Sequence, residues 1–296
     1  MPVRHYIVPS SPINDRQIYA TGADYFPTSF QNKVAVEKFS AQSWVKRVQE
    51  HSAIIQQIFN EIFEYIDFFG KCAHSIAEGR NPRLSSEYWS RVNHHMEGFQ
   101  SARMIEPSSP KTYQYIKMIE EKYLTFLRNM VWSLENSTPS DFAVQGHLPT
   151  GFQLDEMIGA FQSPKLQKIP LVQSLLHTAA YLDSYLEGYR QIHEDNYLKN
   201  FPKEWKASMA NISASGIAVN LGKRFPLYSH VDVYLYFPVD DRVLKFNGSI
   251  VDIRTDEKKH QERIAINFEF PDGNLQDYLQ IQIQKQEVKE CMDIVL

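Results

Sequence analysis

Asn211-Ile212-Ser213-Ala214-Ser215-Gly216, running into Ile217-Ala218-Val219, decides how the last third of this chain folds. An Asn, a Ser two residues on and a Gly three after that stand between two apolar runs. Asn and Ser side chains cap nearby backbone groups, and Gly takes positive φ or lets another backbone come close. The stretch is therefore a tight turn between two strands, with its polar atoms outward.

The chain on both sides has the period-2 grammar of strands. Lys206–Ala210 enters the turn and Ile217–Leu221 leaves it. Val231-Asp232-Val233-Tyr234-Leu235-Tyr236-Phe237 alternates and meets Pro238. Val243–Asp252 contains Gly248, where a bulge or a close backbone approach is expected. Arg263–Phe270 alternates again, Pro271-Asp272-Gly273-Asn274 is a turn, and a helix from about Leu275 to Cys291 follows. Five or six short strands with turns between them predict a small antiparallel barrel.

Upstream of Phe201-Pro202 the period is 3.6. Val48, His51, Ile55, Ile58, Ile62, Tyr65 and Phe69 form one stripe within a helical stretch from Lys33 to Glu78. Gly79, Asn81 and Pro82 stop it, and Ser85 or Ser86 caps a helix reaching about Met104. Helices follow over Thr112–Glu135, around Leu154–Phe161, and over Leu171–Asn196. Neighbouring helices of this kind pack as an antiparallel bundle, with a face free for a second copy or fully used inside one monomer. The fold class is α+β: an N-terminal arm (1–33) rich in Pro and aromatic residues, an all-α bundle (34–198), then the barrel with its C-terminal helix (199–296).

Composition narrows the function. The chain has 296 residues and a formal net charge of −4, which argues against a basic nucleic-acid surface. No apolar run approaches the roughly 18 residues of a membrane span. Cys72 and Cys291 give neither a disulfide framework nor a zinc pattern, so a reducing cytoplasm is the simplest compartment. His94-His95 with Glu97 is the densest histidine cluster, but adjacent helical residues point about 100° apart and do not share a face. His51 and His193 lie on apolar stripes and are expected to be hydrogen-bonded core or seam residues. No nucleophile elbow, phosphate loop or His-Glu-x-x-His occurs, so no enzyme, metal or cofactor is expected.

From about residue 199 to 291 the chain resembles the PilZ family of bacterial cyclic-di-GMP receptor domains. Asn211, Ser213 and Gly216 match that family's Asp/Asn-x-Ser-x-x-Gly signature. Its other signature, Arg-x-x-x-Arg, is missing. The corresponding place reads Lys199-Asn200-Phe201-Pro202-Lys203. The resemblance implies a non-enzymatic signalling protein that holds cyclic-di-GMP between Lys199, Lys203 and the turn residues Asn211, Ser213 and Gly216. It also implies that the family's arginines clamp guanine edges and phosphates. Lysine is a point charge and cannot make the paired guanine contact. Losing one such contact costs on the order of 1–3 kcal/mol. Arg190 and Arg224 are the substitutes considered, though spacing places neither. The rival reading is a degenerate PilZ protein without nucleotide, acting as an interaction or self-association scaffold through its helices.

Overall fold

The computed structural model describes residues 1–161, 163–256, 259, 261–269 and 273–294. The chain forms two compact units. Residues 1–15, 20–29 and 194–296 make one, and residues 16–19 and 30–193 make the other. Among the described residues no helix is long and apolar enough to cross a membrane.

The helical run comprises α1 (Thr28–Val45), α2 (Ser52–Ala77), α3 (Tyr88–Met96), α4 (Pro110–Asn136), α5 (Gln153–Phe161) and α6 (Pro170–Leu198). The stretch expected as one helix from Lys33 to Glu78 is broken between Val45 and Ser52. His51 takes left-handed backbone at φ 51°, a stop that no glycine or proline announces. The 3–4 spacing of Val48, His51 and Ile55 therefore reads through a reversal of the chain. Val48 just after α1, His51 and Ile55 opening α2, Ser109 and Thr112 opening α4, and Pro170 and Leu171 opening α6 line one cavity of about 550 Å³. α2, α4 and α6 therefore start at the same end and run in the same direction, not antiparallel. The chain returns between them through α3 and a 3-10 turn at Gln100–Met104, and then through the loops around α5. That return accounts for the long Pro- and Gly-rich stretch 136–170.

Aromatic residues fill this unit. Tyr65 stacks on His95 at 3.7 Å, and His95 Nδ1 hydrogen-bonds the Tyr123 hydroxyl at 2.7 Å. Gly70 of α2 is required by contact: a Cβ there would lie 2.5 Å from the Tyr185 ring of α6. Ile58 and Leu182 are both 0% exposed, so these seam positions are used inside the unit. His193 is buried without a hydrogen-bond partner for either ring nitrogen among the described residues, and His51 is exposed. Neither is the hydrogen-bonded core residue expected.

The other unit is built on seven strands: β1 (Pro2–Pro9), β2 (Ala207–Met209), β3 (Asn211–Ser213), β4 (Gly216–Leu221), β5 (His230–Phe237), β6 (Arg242–Asp256) and β7 (Gln261–Glu269). Every pairing is antiparallel, in the order β2-β1-β5-β6-β7-β4-β3. The two edges, β2 and β3, are consecutive in the chain with Ala210 alone between them. Two Cα–Cα steps of about 3.8 Å are the most that can separate Met209 from Asn211. The sheet must therefore curl until its two edge strands come together at Ala210, which makes it a half-barrel. Alternation supplies the interior: Ile7, Val231, Val233, Leu235, Leu244, Ile250, Ile264 and Ile266 are 3% exposed or less, and Phe246 stacks on Phe268 at 4.8 Å. α7 (Gly273–Ile294) adds Leu279 and Ile283 to that core, and its Tyr278 and Gln282 bond Asp240.

The N-terminal residues expected as an arm thus contain an inner strand of the sheet. Val3 and Ile7 point inward, with His5 between them. His5 pairs across the ladder with inward Leu235. At Gly248 the expected close approach is found, since a Cβ would lie 2.7 Å from the Asn267 carbonyl oxygen. The register shift of the β6–β7 pair falls further on, between Ile250 and Asp252. Phe270, Pro271 and Asp272, expected to end the last strand and form its turn, lie outside the described residues.

Candidate functional site

The turn joins β3 to β4. Ser213 pairs with Gly216, and Ala214 and Ser215 form the loop. The Ser213 hydroxyl accepts from the Ser215 amide at 3.3 Å and lies 3.2 Å from the Ser215 hydroxyl. The Phe268 amide donates to the Ser215 carbonyl at 2.8 Å, which ties the turn to β7. Gly216 has a reason independent of any ligand. A Cβ at this position would stand 2.3 Å from the Ile266 carbonyl oxygen, a backbone atom of the neighbouring strand.

Burial alternates without interruption from Ala207 to Ser213. Ala207, Met209, Asn211 and Ser213 are exposed, while Ser208 and Ile212 are half-buried and Ala210 is buried. The four exposed residues therefore share one outer face, although they belong to the two opposite edges of the sheet. Met209, 72% exposed, is the apolar residue in the middle of this row.

The segment between α6 and β2 is pinned at several points. Trp205 is buried, and its Nε1 donates to the Leu198 carbonyl at 2.8 Å, satisfying one of the orphan acceptors at the end of α6. Tyr197 and Phe201 stack at 4.6 Å. Lys199 is half-exposed at the start of this segment, and Lys203 lies in a 3-10 turn, Pro202–Glu204. The Lys203 ammonium meets Asp241 Oδ2 at 2.8 Å, with both side chains well exposed. The hydrogen bond and then the charge of Asp241 hold this lysine above its ordinary value. Asp241 is held below the usual carboxylate range by hydrogen bonds from Lys203 and then from Tyr236, whose hydroxyl donates at 2.9 Å. Two lysines on the linker and three turn residues on the barrel wall were expected to act together. The contacts place Lys203 with Asp241, and place Ser213 and Gly216 in the hairpin.

An arginine that sequence spacing did not suggest joins Lys203. Arg4 of β1 donates from Nη1 to the Lys203 carbonyl at 2.9 Å, and its guanidinium lies over the Tyr236 ring at 5.8 Å. In the ladder Arg4 sits opposite Ala207 on one side and Tyr236 on the other. The two arginines considered earlier go elsewhere. Arg190 pairs with Glu187 within α6, and the Arg224 backbone bridges to Asp24.

A buried ion pair fixes β1. The Lys223 ammonium donates to Asp195 and, at 2.7 Å, to the Ile7 carbonyl. Their side chains are only 8% and 16% exposed. The Tyr25 hydroxyl donates to the same carboxylate at 2.7 Å, and burial followed by the Asp195 charge pushes that phenol well above its ordinary value. The end of α6, the first strand and the loop after β4 are thus joined at one buried point.

An antiparallel barrel with an exposed Asn-x-Ser-x-x-Gly turn and one C-terminal helix is the architecture these elements define. Comparison with known families identifies residues 194–284 as a PilZ domain. No curated protein and no solved structure matches the chain. The identified region starts in the last turns of α6, whereas β1, on which its sheet depends, lies at residues 2–9.

Proposed function

We propose that this chain is a non-enzymatic cyclic-di-GMP effector, with the nucleotide seated between the Lys199–Lys203 segment and the Asn211–Gly216 turn. The observation that carries this reading is the outer row Ala207, Met209, Asn211 and Ser213. It leads from the linker to the signature turn of an identified PilZ domain on one exposed face. Asn211 and Ser213 offer hydrogen-bonding groups to a base or sugar-phosphate, and Lys199 and Lys203 offer positive charge to phosphate. Lys203 would exchange Asp241 for phosphate. Signal output requires only that the ligand favour one arrangement of the linker over others.

A second reading has its own support. Lysine stands at both linker positions, and Lys203 already has an internal carboxylate partner. A barrel that has given up the nucleotide and serves as an interaction scaffold fits that observation. Isothermal titration with cyclic-di-GMP at near-physiological salt separates the two. Low-micromolar or tighter binding, weakened by Ser213→Ala or Lys203→Ala without loss of fold, is the expected result. No heat and no thermal shift at hundreds of micromolar nucleotide would leave the scaffold reading.

A further inference from the structure

We propose that Arg4, on the first strand, is the residue that reads guanine in this protein. The inference rests on the cyclic-di-GMP reading above and assigns its specificity to a position outside the identified PilZ region.

Two N–H groups of one planar guanidinium can bond guanine O6 and N7 together, and no lysine can do this. The linker has lysine at 199 and 203. If the face is to distinguish guanine, the fork must come from elsewhere. Arg4 is the arginine that the structure places against this linker, bonded to the carbonyl of Lys203 itself.

Arg4 lies opposite Ala207 in the β1–β2 ladder, and Ala207 begins the exposed row that runs through Met209 to Asn211 and Ser213. Four residues of strand at about 3.3 Å per residue put Asn211 at most about 13 Å from Ala207. The bend at Ala210 shortens this. Guanidinium, thioether and signature turn therefore lie along one face, over a length that one cyclic dinucleotide can follow. Met209 is exposed midway, where its soft side chain can lie under a base.

Among the described residues the guanidinium is held by one hydrogen bond, to the Lys203 carbonyl, and lies over the Tyr236 ring. That bond uses one of its five donors. Asp241 is the nearby competitor; it is engaged by Lys203 and Tyr236, and the Tyr236 hydroxyl still donates to it when Lys203 turns to phosphate.

The test compares wild type with Arg4→Lys and Arg4→Gln, titrated with cyclic-di-GMP and with cyclic-di-AMP. Arg4→Lys keeps the charge and can still donate to the Lys203 carbonyl, so a purely structural Arg4 would tolerate it. The expected result is at least a tenfold loss of cyclic-di-GMP affinity in Arg4→Lys, with narrowed preference over cyclic-di-AMP and an unchanged melting temperature. In the wild-type chain, the Arg4 Nε–H resonance should shift on adding cyclic-di-GMP. This readout does not depend on any variant folding. Wild type that binds, with Arg4→Lys binding equally well and the Arg4 resonance unmoved, overturns this assignment and leaves the effector reading intact. Wild type that does not bind overturns both.

Discussion

Replacing Lys223 with methionine tests whether the first strand is held by the buried ion pair. Lys223 and Asp195 are 8% and 16% exposed, so each charge has lost most of its water. The variant removes the counter-charge from Asp195 and the donor from the Ile7 carbonyl, while Tyr25 still donates to the carboxylate. Breaking one side of such a pair costs about 3–5 kcal/mol, because a carboxylate remains buried and uncompensated. Asp195→Asn in the same chain removes that charge. Replacing both partners of a buried pair is far milder than replacing one. The coupling between the two changes should therefore be about 2–3 kcal/mol. Chemical unfolding at neutral pH gives the free energies, and hydrogen exchange of the β1 amides gives the local effect. Exchange should accelerate in Lys223→Met and recover in the double variant. Because the pair is buried, the single-variant cost should persist at high salt. A loss below about 1 kcal/mol in Lys223→Met, or strict additivity with Asp195→Asn, would refute the argument.

Gly216→Ala should destabilise the barrel by about 1–3 kcal/mol, as overpacking against backbone does, because the added Cβ meets the Ile266 carbonyl at 2.3 Å. An unfolding curve matching wild type would show that the β4–β7 pair yields easily and that the glycine serves another purpose. The helical unit should weaken in mild acid. Burial lowers His95 to about 3 and His193 to about 4, with Arg91 and His147 respectively adding to the effect. Both stay neutral in the fold, while the unfolded rings protonate near 6.5. Their contribution is complete above about pH 6.5 and is lost as pH falls from there towards about 4 for His193 and about 3 for His95. At pH 5 each ring forfeits about 2 kcal/mol at most. Urea unfolding at pH 7 and pH 5 measures the difference, and His95→Gln should flatten it.

The barrel was legible because strand alternation survives in sequences whose inner face is apolar, as in Val231–Phe237 and Arg263–Glu269. The long helices were legible for the same reason at a different period. The first strand was not. Val3 and Ile7 face inward, but His5 stands between them, and outward Tyr6 and Val8 blur the alternation between Pro2 and Pro9. The parallel course of α2, α4 and α6 could not be read either, since helix direction depends on the long returns, and those returns carry little periodicity. Turn residues announced the signature hairpin. The arginine beside the linker left no local trace, because its nearness to Lys203, 199 positions away, is created by the β1–β2 ladder.

That ladder changes what the linker substitution means. Measured along the chain, two lysines in place of two arginines look like loss of function. In the folded barrel the positive groups are redistributed: lysines remain on the linker, and a guanidinium comes from β1. A side chain carried by a flexible segment must be ordered when ligand binds, at roughly 0.5–1.5 kcal/mol for each such side chain. Arg4 sits on backbone already paired with β2 and β5 and anchored through Ile7 to the buried Lys223 ammonium. Under the proposed reading, part of the affinity given up at the linker returns as pre-organisation at the strand. Lys223 would then influence nucleotide affinity by keeping β1, and with it Arg4, in place.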